Sequence, residues 1–217
     1  MSFKNKILIT AVFLFGIFVF SSSADAATFY VATNGSDSNS CTTAQNIGTP
    51  KKTIGSGASC LSAGSILYIR SGTYSETLGG NIPSGTSWSS PVTVSSYSGE
   101  TVTLRPSAER VVHFAGNRYI EINGLILDGI NVSSDTVKID SGAHHIRIQN
   151  SEITNSQRNG LIEVDSSGGN EYIKNNVHNN GRAMLQPRNH GFYLVGPKND
   201  IVRGNHFHDE AGYGLQL

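Results

Sequence analysis

The stretch YIEINGLIL at residues 119–127 returns as HIRIQNSEI at 145–153, as EYIKNNV at 171–177 and as DIVRGNHF at 200–207. Each copy alternates apolar and polar residues and then runs into a polar turn, the pattern of a strand that turns one face to a core and the other to water. Aligned at Ile122, Ile148, Ile173 and Val202, the copies lie 26, 25 and 29 residues apart. A period of this size marks a supersecondary unit that is stacked on itself.

A second strand family lies between these copies: TVKI at 136–139, LIEV at 161–164, GFYL at 191–194 and GLQL at 214–217. Measured at Ile139, Val164, Leu194 and Leu217, its spacings are 25, 30 and 23. Two strand families with matching periods, joined by Gly, Asn, Asp and Ser turns, describe the coils of an all-β solenoid. Helical and leucine-rich repeats fit poorly, because this region has no sustained apolar period of 3.6 residues.

Working outward, SILYIR at 65–70, PVTV at 91–94, TVTL at 101–104 and VVHF at 111–114 read as strands of earlier, less regular coils. The segment from Thr53 to Ala63 reads as a short helix capping the first apolar rung, despite Gly55 and Gly57. At the other end the chain stops at Leu217, inside an expected strand, so the β-solenoid is read as truncated at its C-terminus. Before the cap, Lys4 and Lys6 precede an apolar run from Ile7 to Phe20 and a small-residue stretch ending in Ala24-Asp25-Ala26. This is the layout of a secretory signal peptide cleaved before Ala27, and it predicts a secreted protein, extracellular or periplasmic, with no membrane attachment after cleavage. The domain reading is residues 1–26 as signal peptide, 27–64 as cap region and 65–217 as an incomplete solenoid.

Sixteen basic and 16 acidic side chains in 217 residues leave no net field to gather nucleic acid or an anionic membrane, so an anionic ligand must meet a local patch. Gly 24 and Pro 6, with 37% hydrophobic residues, suit a turn-dense β protein with one core. The two cysteines, Cys41 and Cys60, are expected to pair in an oxidising compartment and to stabilise the cap by about 3 kcal/mol.

FYVATNGSD at 29–37, GSILYIRSGTYSE at 64–76 and NHGFYLVG at 189–196 resemble segments of the pectate-lyase-like right-handed β-helix superfamily. The resemblance implies a right-handed parallel β-helix. For activity it implies a range: lyases and epimerases of uronate polymers, hydrolases, phage spikes and members without catalysis. The sequence lacks the Asn-Thr-Asp, Asp-Asp and Gly-His-Gly set of polygalacturonase-type hydrolases and the Asp-Pro-His-Asp run of mannuronan epimerases. No apolar seam for a trimeric spike is evident, and a monomer is expected.

Candidate site residues follow from alternation in the second strand family. With Val137, Ile139 and Val164 inward, Lys138, Glu163, Tyr193 and Gln216 form an outward ladder with a coil spacing of about 4.8 Å. Arg158, Asn159, Arg182, Arg188 and His190 lie in the turns that lead into it. β-Elimination on a uronate needs a cation for the carboxylate and a base for the neighbouring proton. On that chemistry Arg182 or Arg188 holds the carboxylate and His190, Tyr193 or Lys138 exchanges the proton, while Glu163, Arg158, Asn159 and Gln216 bind the acidic polysaccharide. A Ca²⁺ could serve as the cation, although Asp128, Asp135, Asp140 and Asp165 are scattered. The same residues also fit a plainer picture: a surface ion pair for Lys138 and Glu163, a backbone-bonded turn residue for His190, and stacking ladders for Asn150, Asn175 or Asn176, and Asn205, and for His178 and His208.

The leading expectation is a lyase-like enzyme on uronate-containing polysaccharide; the alternatives are a uronan epimerase and a noncatalytic glycan-binding or cell-surface β-helix. Convergence of Arg182, Arg188, His190 and Tyr193 on one groove separates catalysis from binding.

Overall fold

The computed structural model describes residues 26–183 and 189–217. Arg188, and the expected signal peptide except Ala26, lie outside the described residues.

The chain is a right-handed parallel β-helix whose strands form three parallel sheets. Sheet A holds Thr28–Val31, Ile66–Ile69, Val92–Ser96, Arg118–Asn123, His144–Gln149, Glu171–Ile173 and Ile201–Arg203. Sheet B holds Gly72–Tyr74, Val102–Leu104, Ile126–Asp128, Glu152–Thr154, Asn176–His178 and His206–His208. Sheet C holds Val112–Ala115, Val137–Asp140, Leu161–Glu163, Phe192–Leu194 and Leu215–Gln216. Each repeat at 119–127 and 145–153 is therefore two strands around a corner, so the two expected strand families are three.

Registers place like side chains above one another. Phe29, Leu67, Val94, Ile122, Ile148, Tyr172 and Val202 form one inward column of sheet A, and Leu104, Leu127, Ile153, Val177 and Phe207 one of sheet B. Ile122, Ile148, Leu127 and Ile153 are fully buried, and each such side chain stabilises the fold by about 2 kcal/mol. Two sequence alignments move by one residue. Ile148 pairs with Tyr172 rather than Ile173, and Ile139 pairs with Glu163 rather than Val164.

The corners explain the turn composition. Where sheet A turns into sheet B, Gly124, Asn150, Lys174 and Gly204 all have positive φ, at 70°, 49°, 53° and 66°. After sheet C, Gly116, Ser141, Asp165 and Gly196 do the same, at 73°, 53°, 50° and 65°. A left-handed residue costs a non-glycine side chain about 1–2 kcal/mol, which the ladders stacked on both sides repay. Glycine is required at the entry to sheet C. A Cβ on Gly160 would lie 2.7 Å from the Gly191 carbonyl, and one on Gly191 would lie 2.5 Å from that of Gly214.

The first rung is covered by the helix Ile54–Ala58, which buries Ile54 and Ala58. Its early amides are satisfied: the Thr53 hydroxyl accepts from the Ser56 amide at 3.2 Å, and Glu76 accepts from the Ile54 and Gly55 amides at 2.9 Å each. Cys41 and Cys60 are disulfide-bonded, with Cα atoms 5.4 Å apart, and tie the preceding loop to this helix.

Candidate functional site

Alternation on sheet C points His113, Lys138, Ile162, Tyr193 and Gln216 outward, in register on five successive coils. Glu163 does not belong to this ladder. It faces inward between Ile139 and Leu194 and is 1% exposed, which removes it from the expected substrate-binding set. Ile162 takes the outward place. The Glu163 carboxylate accepts bonds from the Tyr172 hydroxyl at 2.6 Å, the Ser166 hydroxyl at 2.5 Å and the Asn170 amide at 3.0 Å. Burial pushes the carboxyl above its ordinary range against these bonds, and burial followed by the Glu163 charge pushes the Tyr172 phenol well up.

At the lower end of the ladder three groups come together. The Lys138 ammonium is 2.7 Å from Oδ2 of Asp140, and His113 Nε2 is 3.0 Å from Oδ1. Burial works against the Asp140 charge, and the bonds from Lys138 and His113 outweigh it, so its carboxyl is held below the ordinary value. An ionised carboxylate only accepts, so His113 donates its Nε2–H to Asp140, and Nδ1 takes no part in this bond. His113 is 43% exposed in its side chain, and it borders a depression of about 310 Å³ with Arg110, Glu109 and the Gly79–Gly80 backbone.

The upper half of the ladder forms a groove of about 620 Å³. Ile162 and Tyr193 supply its floor, and Val132, Gln157, Arg158, Ala183 and Asn189 line it from the turns before sheet C. Arg158 is exposed on this rim.

The other expected site residues are placed differently. Asn159, which also borders this groove, and His190 belong to a buried column at the entry to sheet C, one residue before the register-matched glycines. Asp135 Oδ1 accepts the Asn159 amide N–H at 3.0 Å and its side chain at 2.9 Å, and Asn159 Oδ1 accepts the His190 backbone N–H at 2.8 Å. His190 Nδ1 in turn accepts the Tyr213 backbone N–H at 3.0 Å, with the two rings stacked 5.5 Å apart. Burial lowers the His190 pKa, and its bonded nitrogen is engaged by backbone. These two side chains hold coils together. Arg182 points to a separate depression beside Asp209 and Glu210, where its Nη1 donates to the Ile130 and Asn155 carbonyls at 3.3 and 3.4 Å. Gln216 continues the ladder above Tyr193 and donates to the Leu217 carbonyl at 2.8 Å. The His190 ring also lies beside that of Tyr193, with centroids 5.7 Å apart, but Arg182 opens onto the separate depression, so the three side chains do not converge on one groove.

For Ca²⁺ the fit is poor. Asp128 pairs with Arg105, Asp135 is committed to Asn159 and Asp140 to His113 and Lys138. Among the described residues no group of three or more His, Cys, Asp or Glu side chains is arranged to hold a metal ion. His178 and His208 do stack, 4.7 Å apart and 9° from parallel, but their ring nitrogens bond to Glu152, Thr154, Asn179, Asp209 and Asn176.

Sequence reasoning missed His113 and Asp140 as partners of Lys138. The signal was present in VVHF: with Val112 and Phe114 inward, His113 falls on the outer face, 25 residues before Lys138.

Residues 110–217 match the family model described as right handed beta helix region. No curated protein sequence matches the chain. Among solved structures, the chain is similar to "pectate lyase Pel9A", with a TM-score of 0.63 and 17% identity over 88% of this chain and 48% of that one. A second similar structure, "Rhamnogalacturonan lyase", has a TM-score of 0.46 and 16% identity over 88% of this chain and 54% of the other. The chain thus spans about half the length of these structures.

Proposed function

We propose that this chain, a right-handed β-helix with the pectate-lyase-like fold, is a secreted protein that binds uronate-containing polysaccharide along the outer face of sheet C and cleaves it by β-elimination. The observation that carries the reading is the His113–Asp140–Lys138 group on the two coils that precede Ile162 and Tyr193 on the same outer face of sheet C. Successive coils about 4.8 Å apart suit a sugar chain lying along the solenoid. In this reading His113 Nδ1 takes the proton beside the uronate carboxylate. The electron pair left behind forms the new carbon–carbon double bond as the glycosidic oxygen departs with a proton from water. Asp140 fixes the tautomer of His113, and the Lys138 ammonium, on the adjacent coil, offsets charge that builds on the carboxylate. Lys138 thereby changes role from the proton exchanger expected from sequence to the cation. The protein acts as an exported monomer, without nucleic acid; the Cys41–Cys60 disulfide and the N-terminal Lys4-to-Ala26 pattern support export.

A second reading, noncatalytic glycan binding, is favoured by the separation of Arg182 from the groove and by the engagement of His190 Nδ1 with the Tyr213 backbone. The test is ultraviolet absorbance of the unsaturated product when the protein meets polygalacturonate, alginate or chondroitin. A rise is expected that falls at least about 100-fold in His113→Gln. Retained binding with no product would establish the second reading, and a rise untouched by His113→Gln would remove His113 as base.

A further inference from the structure

The column at the entry to sheet C begins with a cation. Arg110, Asp135, Asn159 and His190 hold equivalent places on successive coils, ahead of the register-matched Val112, Val137, Leu161 and Phe192. The charge of Arg110 is only partly spent on this column. Its Nη2 donates to the Ser134 hydroxyl at 3.3 Å and lies 3.9 Å from Asp135 Oδ2, while Asp135 Oδ1 is committed to Asn159. Its Nε is buried with no hydrogen-bond partner among the described residues. Its Nη1 is paired with the carboxylate of the adjacent Glu109. That pair is unequal: the Arg110 side chain is 12% exposed and the Glu109 side chain 65%. An ion pair with one member in water contributes little, so Glu109 is the partner that leaves at low cost.

Both side chains line the depression of about 310 Å³ that His113 borders. Its floor is the Gly79–Gly80 turn, brought beneath His113 by the parallel bridge of Leu78 to Val112. A Cβ on Gly79 would lie 2.6 Å from the His113 carbonyl, whereas one on Gly80 would meet nothing within 4 Å. The floor is therefore bare backbone with open space above it, and the exposed carboxylate that meets the cation there is the chain's own.

We infer that Glu109 is a built-in competitor: it holds the place on Arg110 that the carboxylate of a second uronate takes when a polymer binds with its neighbouring unit at His113 and Lys138. The inference rests on the reading of sheet C as the glycan face and names a control on that same site. The exchange conserves charge, since the guanidinium passes from one carboxylate to another and Glu109 turns fully into water. The polymer carboxylate is not tethered to the backbone beside Arg110 and can align with the planar guanidinium for two parallel bonds. Affinity for polyuronate is thereby set below what the cations alone would give.

The experiment is calorimetric titration of polygalacturonate oligomers into wild type, Glu109→Gln, Glu109→Asp, Arg110→Gln and the double variant Arg110→Gln/Glu109→Gln, with Lys138→Ala marking the glycan face. Glu109→Gln is expected to bind about fivefold more tightly, the scale of one exposed ion pair given up. Glu109→Asp keeps the charge and shortens the arm, and its affinity is expected to move in the same direction. In the Arg110→Gln background the Glu109 substitution is expected to change affinity by a factor of about one. An unchanged affinity in Glu109→Gln overturns the competitor. Equal tightening with and without Arg110 also overturns it, because removal of a negative charge then acts through the general field and not through the contact. In both cases a loss of binding in Lys138→Ala leaves the glycan face standing. Should Arg110→Gln not fold, Glu109→Asp decides: tighter binding upholds displacement, and wild-type affinity rejects it. No binding by folded wild type overturns both readings.

Discussion

Glu163 is the residue at which sequence and structure part. In LIEV, three of the four residues are apolar, so the phase of alternation is undetermined, and a carboxylate is most often found on the solvent side. The phase is decided by groups distant in sequence, because the Tyr172 hydroxyl and Asn170 amide donate to Glu163 inside the coil. Glu163→Ala is expected to destabilise the fold by about 3 kcal/mol, since it opens a cavity and leaves both donors without an acceptor. Chemical denaturation of the two proteins checks this. The pH dependence follows from the raised pKa. Stability from Glu163 is fully present below its ordinary value of 4.5 and is lost as pH rises through the higher folded value, so Glu163→Gln should flatten this slope. Asp140 has the opposite sign. Its lowered pKa contributes stability above the ordinary value of 3.8 that disappears as pH falls through the folded value, and Asp140→Asn should remove this acid-side loss.

At the scale of the element, the repeat and the inward columns could be read from sequence because apolar residues recur at nearly fixed spacing. Sheet B could not. Its strands are only three residues long, too short for alternation to separate them from the corner that precedes them. The asparagine turns were legible as ladders, and their bonding is now specific: Asn175 Oδ1 accepts from the Ser151 amide at 3.1 Å, while its Nδ2 donates to the Ile148 carbonyl at 2.9 Å. Asn175→Ala should cost about 2–3 kcal/mol, measurable by thermal or chemical unfolding. A second element-scale device lies on sheet A. Trp88, the single tryptophan, packs under the Arg147 guanidinium at 4.2 Å and against Tyr119 and His145, whose Nδ1 shares a 2.7 Å bond with Nδ1 of His144. Burial, then the neighbouring His145 and Arg118, lowers the His144 pKa; Glu121 and Glu171 hold Arg147 in place. Protonation of the accepting nitrogen breaks the shared bond. Trp88 fluorescence is therefore expected to change with a midpoint below the ordinary histidine value of 6.5, and the change should vanish in His144→Gln.

Across the whole molecule, the candidate site depends on coils that keep their register from the cap to the last rung. The disulfide closes a separation of 19 residues at the capped end, and its reduction should lower stability by about 3 kcal/mol in a denaturant titration with and without reductant. Legibility of the site was partial for the same reason that the fold was legible. A repeat shows which side chains stack, as with Lys138 and Tyr193, but not which turn residues are spent on the stacking itself. Asn159 and His190 are spent in this way. The most direct test of the account is calorimetric binding of polygalacturonate oligomers to wild type, Lys138→Ala, Tyr193→Ala and, as a control on the sheet B face, His206→Ala. Each sheet C variant is expected to weaken binding about tenfold or more, with His206→Ala unchanged. Binding that is lost in His206→Ala and kept in the other two, or no binding by folded wild type, would contradict the placement of the polysaccharide on sheet C.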